Sequence, residues 1–310
     1  MYIRSISLQN FRNIEKLNME LTDGINIFHG ENAQGKTNFL ESIYLCAMGR
    51  SMRPGKDIRL VSFGEKEGHI RLEAMGENGT DRIDIHLLEN GKKGIAVNGL
   101  PLKKIGDLFG ILYVVIFSPE DLNLVKDGPA QRRRFLDMEL CQLSRVYYYD
   151  LQQYYRILKQ RNHLLKELQR ENNQLETLCI WDHQLVEYGK RVIAARRNFV
   201  AKLDQLSSRK EKRLTDGVDT LQVVYHANCA EENLQEKLEK NIQRDILLGA
   251  TQNGPHKDDL IFLVNGLDVK QYGSQGQQRT TALALRLAEV DLIRMEKGVS
   301  PILLLDDVLS

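Results

Sequence analysis

Cysteine is scarce in these 310 residues, and the four present, Cys46, Cys141, Cys179 and Cys229, never fall into a Cys-x-x-Cys pair. That scatter predicts free thiols in a reducing, cytoplasmic setting and argues against a disulfide frame or a zinc site. Long apolar runs are missing too: the longest, residues 111–117, is far too short to cross a bilayer. Residues 1–8 hold no basic segment followed by an apolar run, so neither a secretory signal nor a membrane partner is expected. Neither sign of charge is in excess. The 43 Lys and Arg against 42 Asp and Glu leave a formal net charge of +1, which excludes a global attraction to nucleic acid and leaves only local basic patches for that purpose. No repeat or low-complexity tract stands out. What remains is 42% hydrophobic and 27% charged, the composition of an ordinary globular protein, long enough for one large core and a second lobe.

The run Phe28-His29-Gly30-Glu31-Asn32-Ala33-Gln34-Gly35-Lys36-Thr37-Asn38 matches G-x-x-x-x-G-K-[ST]. Residues 25–28 read as a short strand and residues 38–45 as a helix with an apolar face, so strand, glycine loop and helix come in the required order. In that arrangement the backbone of Gly30, Glu31, Asn32, Ala33, Gln34 and Gly35 cradles the α- and β-phosphates of ATP at the helix N-terminus. Lys36 reaches the β- and γ-phosphates and the Thr37 hydroxyl ligates Mg²⁺. A chance glycine-rich turn is the competing reading, and the flanking elements argue against it.

Residues 2–8 alternate as a strand. Residues 70–75, 82–88 and 95–97 do likewise, with turn residues at 89–94, and predict an antiparallel meander beside the nucleotide core. Residues 111–117 form a continuous β-branched and aromatic run, as for a strand buried on both faces, ending at a helix start at Ser118-Pro119. From about 130 to 215 glycine nearly disappears. Leu151, Tyr154, Tyr155, Leu158, Leu165 and Leu168 recur at helical spacing, a second stripe follows from 175 to about 206, and two long antiparallel helices would bury both. Basic clusters at Arg132-Arg133-Arg134, Lys190-Arg191, Arg196-Arg197 and Arg209-Lys210 interleave with Glu167, Glu171, Glu176 and Glu187, and read either as a solvated face or as a DNA surface. Residues 221–225 return to strand, 231–248 to helix, and residues 260–264 turn at Asn265-Gly266 into a hairpin. A helix over 280–295 and a buried strand over 302–305 close the pattern. The expected division is an N-terminal part of a nucleotide-binding head over 1–125, a helical insert over 126–217 and the C-terminal part of the head over 218–310.

Asp306 follows the last strand, at the strand end where α/β sheets place their sites, and is expected to hold Mg²⁺ with Thr37. Asp307 is placed to orient or deprotonate the attacking water, with a turn cap as the alternative. Ser274-Gln275-Gly276-Gln277 opens a helix and resembles the Ser-Gly-Gly-Gln signature of ABC-type ATPases, in which Ser274, Gly276 and Gln277 would grip the γ-phosphate of a second protomer's ATP. The same residues also satisfy a capping box.

These segments, together with Leu8-Gln9-Asn10-Phe11-Arg12-Asn13, Phe117-Ser118-Pro119-Glu120-Asp121-Leu122, Arg133-Arg134-Phe135-Leu136-Asp137 and Gly254-Pro255-His256-Lys257-Asp258-Asp259, resemble the RecF family of bacterial recombination mediators along essentially the whole chain. The resemblance implies an α/β fold: an ABC-type P-loop ATPase head, similar to those of structural-maintenance-of-chromosomes proteins, with an antiparallel β meander and a helical insert. It also implies an ATP-dependent homodimer, weak ATPase activity, DNA binding at single-strand gaps, and cooperation with RecR and RecO in loading RecA. Lys257 stands where the family often has arginine. In that family a Glu-Leu-Asp segment, further strands and a C-terminal helix follow this point, so the head is expected to be truncated at Ser310 and this chain to hydrolyse ATP poorly. A transporter's nucleotide-binding subunit shares all three motifs, but the long helical insert between the phosphate loop and Ser274 argues against it. A phosphate-loop kinase or GTPase leaves Ser274 unexplained, and a nucleotide-binding module without turnover stays open.

Overall fold

Alternation of apolar and polar residues builds the largest sheet, which runs β1 (Tyr2–Phe11), β2 (Ile14–Glu20), β3 (Glu67–Gly76), β4 (Gly79–Leu88), β5 (Lys93–Val97) and β6 (Leu100–Pro101). The spatial order is β2-β1-β3-β4-β5-β6 and every pairing is antiparallel. Ile6 and Leu8 of β1, Ile70 and Leu72 of β3, and Ile83 and Ile85 of β4 share one buried face. A register shift between Ile3 and Ser5 breaks the period of two, so Ile3 and Ile6 are both buried despite their odd spacing. Helix α1 (Lys36–Met48) packs on that face through Phe39, Ile43 and Leu45. The other polypeptide layer is β7 (Val114–Phe117), paired in parallel with β11 (Ile302–Leu305) from Ile302↔Val114 to Leu305↔Phe117.

The computed structural model describes residues 1–53, 59–76, 79–170 and 175–307; Glu171 lies outside them. The elements above form one compact unit, residues 1–119 with 293–310, and residues 120–292 form the second. The meander matches the expected one, with β2 added. Residues 25–28 do not form a strand. Among the described residues no strand pairs with them, and Ile25 and Ile27 stand 89% and 81% exposed. β11 differs similarly. Only Leu304 is buried, while Leu303 and Leu305, two residues apart and so on the opposite face, are 45% and 59% exposed.

A 3-10 turn at Pro119–Asp121 leads into the second unit, with α2 (Leu122–Lys126), α3 (Pro129–Leu143), α4 (Arg145–Leu168) and α5 (Leu175–Leu214). Arg161 bonds Asp182, Arg191 bonds Asp150 and Arg196 bonds Tyr147, a descending-against-ascending order that makes α4 and α5 antiparallel. Leu151, Tyr154, Leu158, Leu165 and Leu168 are buried as their spacing predicts, whereas Tyr155 is 40% exposed at the stripe's edge. Next come β8 (Leu221–His226), α6 (Leu234–Lys240), α7 (Ile242–Leu248), β9 (Asp259–Val264), β10 (Leu267–Asp268), α8 (Val269–Tyr272) and α9 (Gln275–Lys297). Asn265 and Gly266 both have positive φ, the geometry of the two-residue turn their sequence announces. Among the described residues no helix is long and apolar enough to cross a membrane.

The second unit is tied together by charges in its interior. The fully buried Arg196 donates to Asp137 at 2.7 Å, Asp258 at 3.0 Å and the Pro255 carbonyl at 2.6 Å. Arg161, equally buried, bonds Asp182, Asp245 and Thr251. Removing one partner from such a set leaves an uncompensated buried charge. Arg196→Met should therefore lower the unfolding free energy by about 3–5 kcal/mol, measured by urea denaturation. Glu211 is buried, and among the described residues neither of its carboxylate oxygens has a hydrogen-bond partner. Burial, with Asp219 nearby, pushes its carboxyl up to about 7. The folded chain thus keeps a proton that the unfolded chain, titrating near about 4.3, has already released. The contribution of this group is fully present below about pH 4.3 and is lost as pH rises through 7, costing about 4 kcal/mol in all. Glu211→Gln should flatten that slope in denaturation curves taken between pH 5 and 8.

Candidate nucleotide site

The site is set by how β1 hands the chain to β2. Arg12 sits there in the left-handed region at φ 57°. Its guanidinium turns onto Glu41 of α1 with bonds of 2.9 and 2.7 Å, while a third nitrogen donates to the Arg59 carbonyl at 3.0 Å. Glu41 is fully buried and also accepts from the Ser51 hydroxyl. This bidentate pair fixes the first turns of α1 against the sheet. Asn13 clamps the loop itself: its amide donates to the Ala33 carbonyl at 2.9 Å, and its oxygen accepts from Asn38 of α1 at 2.7 Å. A Cβ on Gly35, which has φ 94°, would come within 2.9 Å of that Asn13 oxygen. Glycine is therefore required at Gly35 on two counts, conformation and space.

Lys36 Nζ donates to the Gly30 and Glu31 carbonyls at 2.5 and 2.8 Å, folding over the mouth of the loop. α1 starts at Lys36 with no side-chain cap on its N-terminus. Its first-turn N–H groups and the exposed loop backbone from Gly30 through Glu31, Asn32, Ala33 and Gln34 thus offer the donors that a chain of phosphates takes. The Thr37 hydroxyl donates to Asp306 Oδ1 at 3.0 Å, joining residues 269 positions apart. Asp306 is held in place by the parallel pairing, its N–H donating to the Phe117 carbonyl at 2.8 Å. Two oxygens that are neighbours in an octahedral Mg²⁺ shell lie about 2.9 Å apart when each is 2.0–2.1 Å from the ion, so the pair suits that ion. Asp307 follows, exposed and at φ 51°.

Ser274, Gly276 and Gln277 belong to the other unit. There they form the capping box in full: the Gln277 N–H donates to Ser274 Oγ at 3.2 Å, and the Ser274 N–H donates to Gln277 Oε1 at 3.1 Å. Gln277 also donates to Asp219 at 3.1 Å. Ser274 and Gly276 are exposed at the start of α9.

The basic clusters divide in a way the sequence does not reveal. Arg132 is buried in a bidentate pair with Asp259 at 2.7 and 2.9 Å, and Arg133 donates to the Asp258 carbonyl. With Arg196 on Asp258, the Gly254-Pro255-His256-Lys257-Asp258-Asp259 run is an acceptor for buried arginines. His256 Nε2 donates to the Thr251 carbonyl at 2.9 Å, which leaves Nδ1 to accept from the Tyr154 hydroxyl at 2.6 Å. Burial pushes this histidine down to about 4, so the ring is neutral as that arrangement requires. Arg191 and Arg197 pair at the surface with Glu187 and Glu231, and Lys210 pairs with Asp291. Arg209 stays exposed, with Lys212 and Arg213 beside it on α5. Asn13, Asn38 and the Arg12–Glu41 pair are loop-positioning residues that motif reading passes over. The signal was present in the run Asn10-Phe11-Arg12-Asn13.

A family profile described as an AAA domain matches residues 5–253. A relative from Lachnoclostridium phytofermentans, named DNA replication and repair protein RecF, is 48% identical over 310 residues, 100% of this chain and 86% of the relative. Among solved structures, the recombination mediator protein RecF with ATP, from the RecFOR pathway, is 38% identical with a TM-score of 0.96, over 99% of this chain and 85% of that one. The Smc head domain of Pyrococcus furiosus, with an extended coiled coil and bound to the C-terminal domain of ScpA, aligns over 98% of this chain and 89% of its own at 15% identity and a TM-score of 0.52, a likeness of fold alone. The fold is thus the α/β ABC-type ATPase head shared by RecF and SMC proteins, and the chain belongs to the RecF family.

Proposed function

We propose that this chain is an ATP-controlled DNA-binding recombination mediator. It binds ATP with Mg²⁺ through Gly30 to Thr37 and Asp306, and two copies close around two ATP molecules. The phosphate loop of one protomer and Ser274, Gly276 and Gln277 of the other then face the same γ-phosphate. The observation that carries this reading is the 3.0 Å contact of Thr37 with Asp306, which brings the residue after the phosphate loop's lysine to the end of the last strand. Bound Mg²⁺ supplies charge neutralisation at the β- and γ-phosphates. Lys36 exchanges its loop carbonyls for phosphate oxygens, and Asp307 orients or deprotonates the attacking water in a slow hydrolysis that releases the dimer. ATP at 100 to 1,000 times its dissociation constant stabilises the state that binds it by roughly 3–4 kcal/mol, enough to make assembly depend on nucleotide.

The proposed DNA target is a single-strand gap, with RecR and RecO as partners and RecA as the protein finally loaded, as suits the RecFOR pathway of the relative with ATP. The helical insert over 126–217 contributes Arg209, Lys212 and Arg213, three cations at helical spacing that face solvent. Phosphate contacts of this kind give sequence-independent binding.

Sedimentation with no nucleotide, with ADP and with ATP tests the sandwich. The unsubstituted chain should form dimers with ATP alone; Lys36→Met should lose ATP binding and dimers together, whereas Ser274→Arg should keep ATP binding by the monomer and lose only the dimer. Equal loss of both in Ser274→Arg would make the serine structural. On gap DNA, replacing Arg209, Lys212 and Arg213 with serine should reduce the slope of log affinity against log salt by about 2–3, at roughly 0.9 per phosphate contact. An unchanged slope would move the DNA surface elsewhere.

A further inference from the structure

We propose that Glu67, His69 and His86 form a surface site for a divalent transition metal of the Zn²⁺ class, separate from the nucleotide site. His69 of β3 and His86 of β4 are direct cross-strand partners, in a ladder that runs without a break from Glu67↔Leu88 to Gly76↔Gly79. Their rings stack at a centroid distance of 4.5 Å with 5° between planes. Glu67 lies two residues before His69 and so on the same face. Its carboxylate meets Nε2 of both rings, at 2.8 Å from His86 and 3.8 Å from His69. One nitrogen from each imidazole and one carboxylate oxygen therefore converge, all within 4.8 Å of one another.

Tetrahedral Zn²⁺, with bonds of about 2.0–2.2 Å, places its ligand atoms roughly 3.3–3.5 Å apart. The exposed side chains reach that spacing by small rotations, since paired strands already fix their bases. Three protein ligands leave the fourth position to water or to an outside donor. That position opens onto a groove of about 790 Å³ that crosses the sheet face past Ser7, Gln9 and Ala96. Two imidazoles with one carboxylate suit Zn²⁺, Co²⁺, Ni²⁺ or Cu²⁺ rather than the oxygen-seeking Mg²⁺. α1 packs on the opposite, apolar face of the same sheet, so the two metal positions are on different sides.

A surface ion pair is the simpler account of these residues, and it explains less. An ion pair holds Glu67 to His86 at 2.8 Å and gives the stacked ring of His69 only a longer contact of 3.8 Å. A shared metal uses both rings as neutral ligands and the carboxylate as the anion. The neighbouring cation Arg71 is occupied by Asp84 at 2.6 Å.

The test is titration of the full chain, stripped of metal by a chelator and free of nucleotide, with Co²⁺ and then Zn²⁺. One equivalent of Co²⁺ should give the visible bands of a tetrahedral site, and Zn²⁺ should erase them. His86→Asn should weaken Zn²⁺ binding by at least about tenfold, the loss that even an outer-shell partner of a metal ligand produces. His69→Asn/His86→Asn should remove the equivalent, with ATP affinity unchanged. His163→Asn, a control at an exposed histidine that pairs with Glu167 at 3.4 Å, should change nothing. Undiminished Zn²⁺ binding by the double variant would overturn the site. In the unsubstituted chain, Zn²⁺ should also shield His69 and His86, but not His163, from acylation by diethylpyrocarbonate, read by mass spectrometry. Uniform acylation with and without Zn²⁺ would overturn it as well.

Discussion

The guanidinium of Arg196 is the interaction on which the second unit depends. Four groups from three segments end on it: Asp137 from α3, Tyr147 from α4, and the Pro255 carbonyl and Asp258 from the loop before β9. Asp258 in turn accepts from the Tyr225 hydroxyl of β8 and from the Asn228 N–H, so the strands are tied to the same ion. A planar donor with five N–H groups can satisfy several acceptors at fixed angles, which lysine cannot do. The cost of burying the charge is met only while every acceptor is in place. The helices, the loop and the three-stranded sheet therefore either come together or fail together.

The first unit solves a different problem, holding a loop of backbone donors open to solvent. Regular structure would consume those donors. Here the loop is kept irregular by positive φ at Gly30, Ala33 and Gly35 and is braced from behind by Asn13, which touches both the loop and α1. The brace uses side-chain amides, so the loop's own N–H groups are not spent on it. Glu41 and Arg12 extend the brace to the buried face of the sheet. Placement of the phosphate-binding backbone thus rests on four residues that would not touch the ligand.

What could be read from the sequence was what depends on near neighbours. The phosphate loop, the meander, the α4 and α5 stripes and the Asn265-Gly266 turn are each set by residues within a few positions of one another. Residues 25–28 have the composition of a strand, but a strand exists only where another backbone pairs with it, and Ile25 and Ile27 face solvent instead. β2 was missed for a related reason: none of its residues is fully buried, so its alternation is faint. Arg132, Arg196 and Arg209 look alike in sequence. What separates a buried tie from a surface cation is an aspartate 127 or 62 positions away, and spacing carries no trace of that. The Thr37 and Asp306 contact joins two local patterns that can each be read alone, the first turn of α1 and the end of β11.

The capping box at Ser274 has a consequence for speed. A serine hydroxyl has one hydrogen and two lone pairs, and the cap occupies a single lone pair by accepting from Gln277. The hydrogen is still available, and the Gln277 side chain returns the bond to the Ser274 N–H, so the rotamer is already fixed. An anion arriving at this end of α9 can accept that hydrogen without displacing the cap or unwinding a turn. Encounter, with no local opening step before it, would then set the rate of capture.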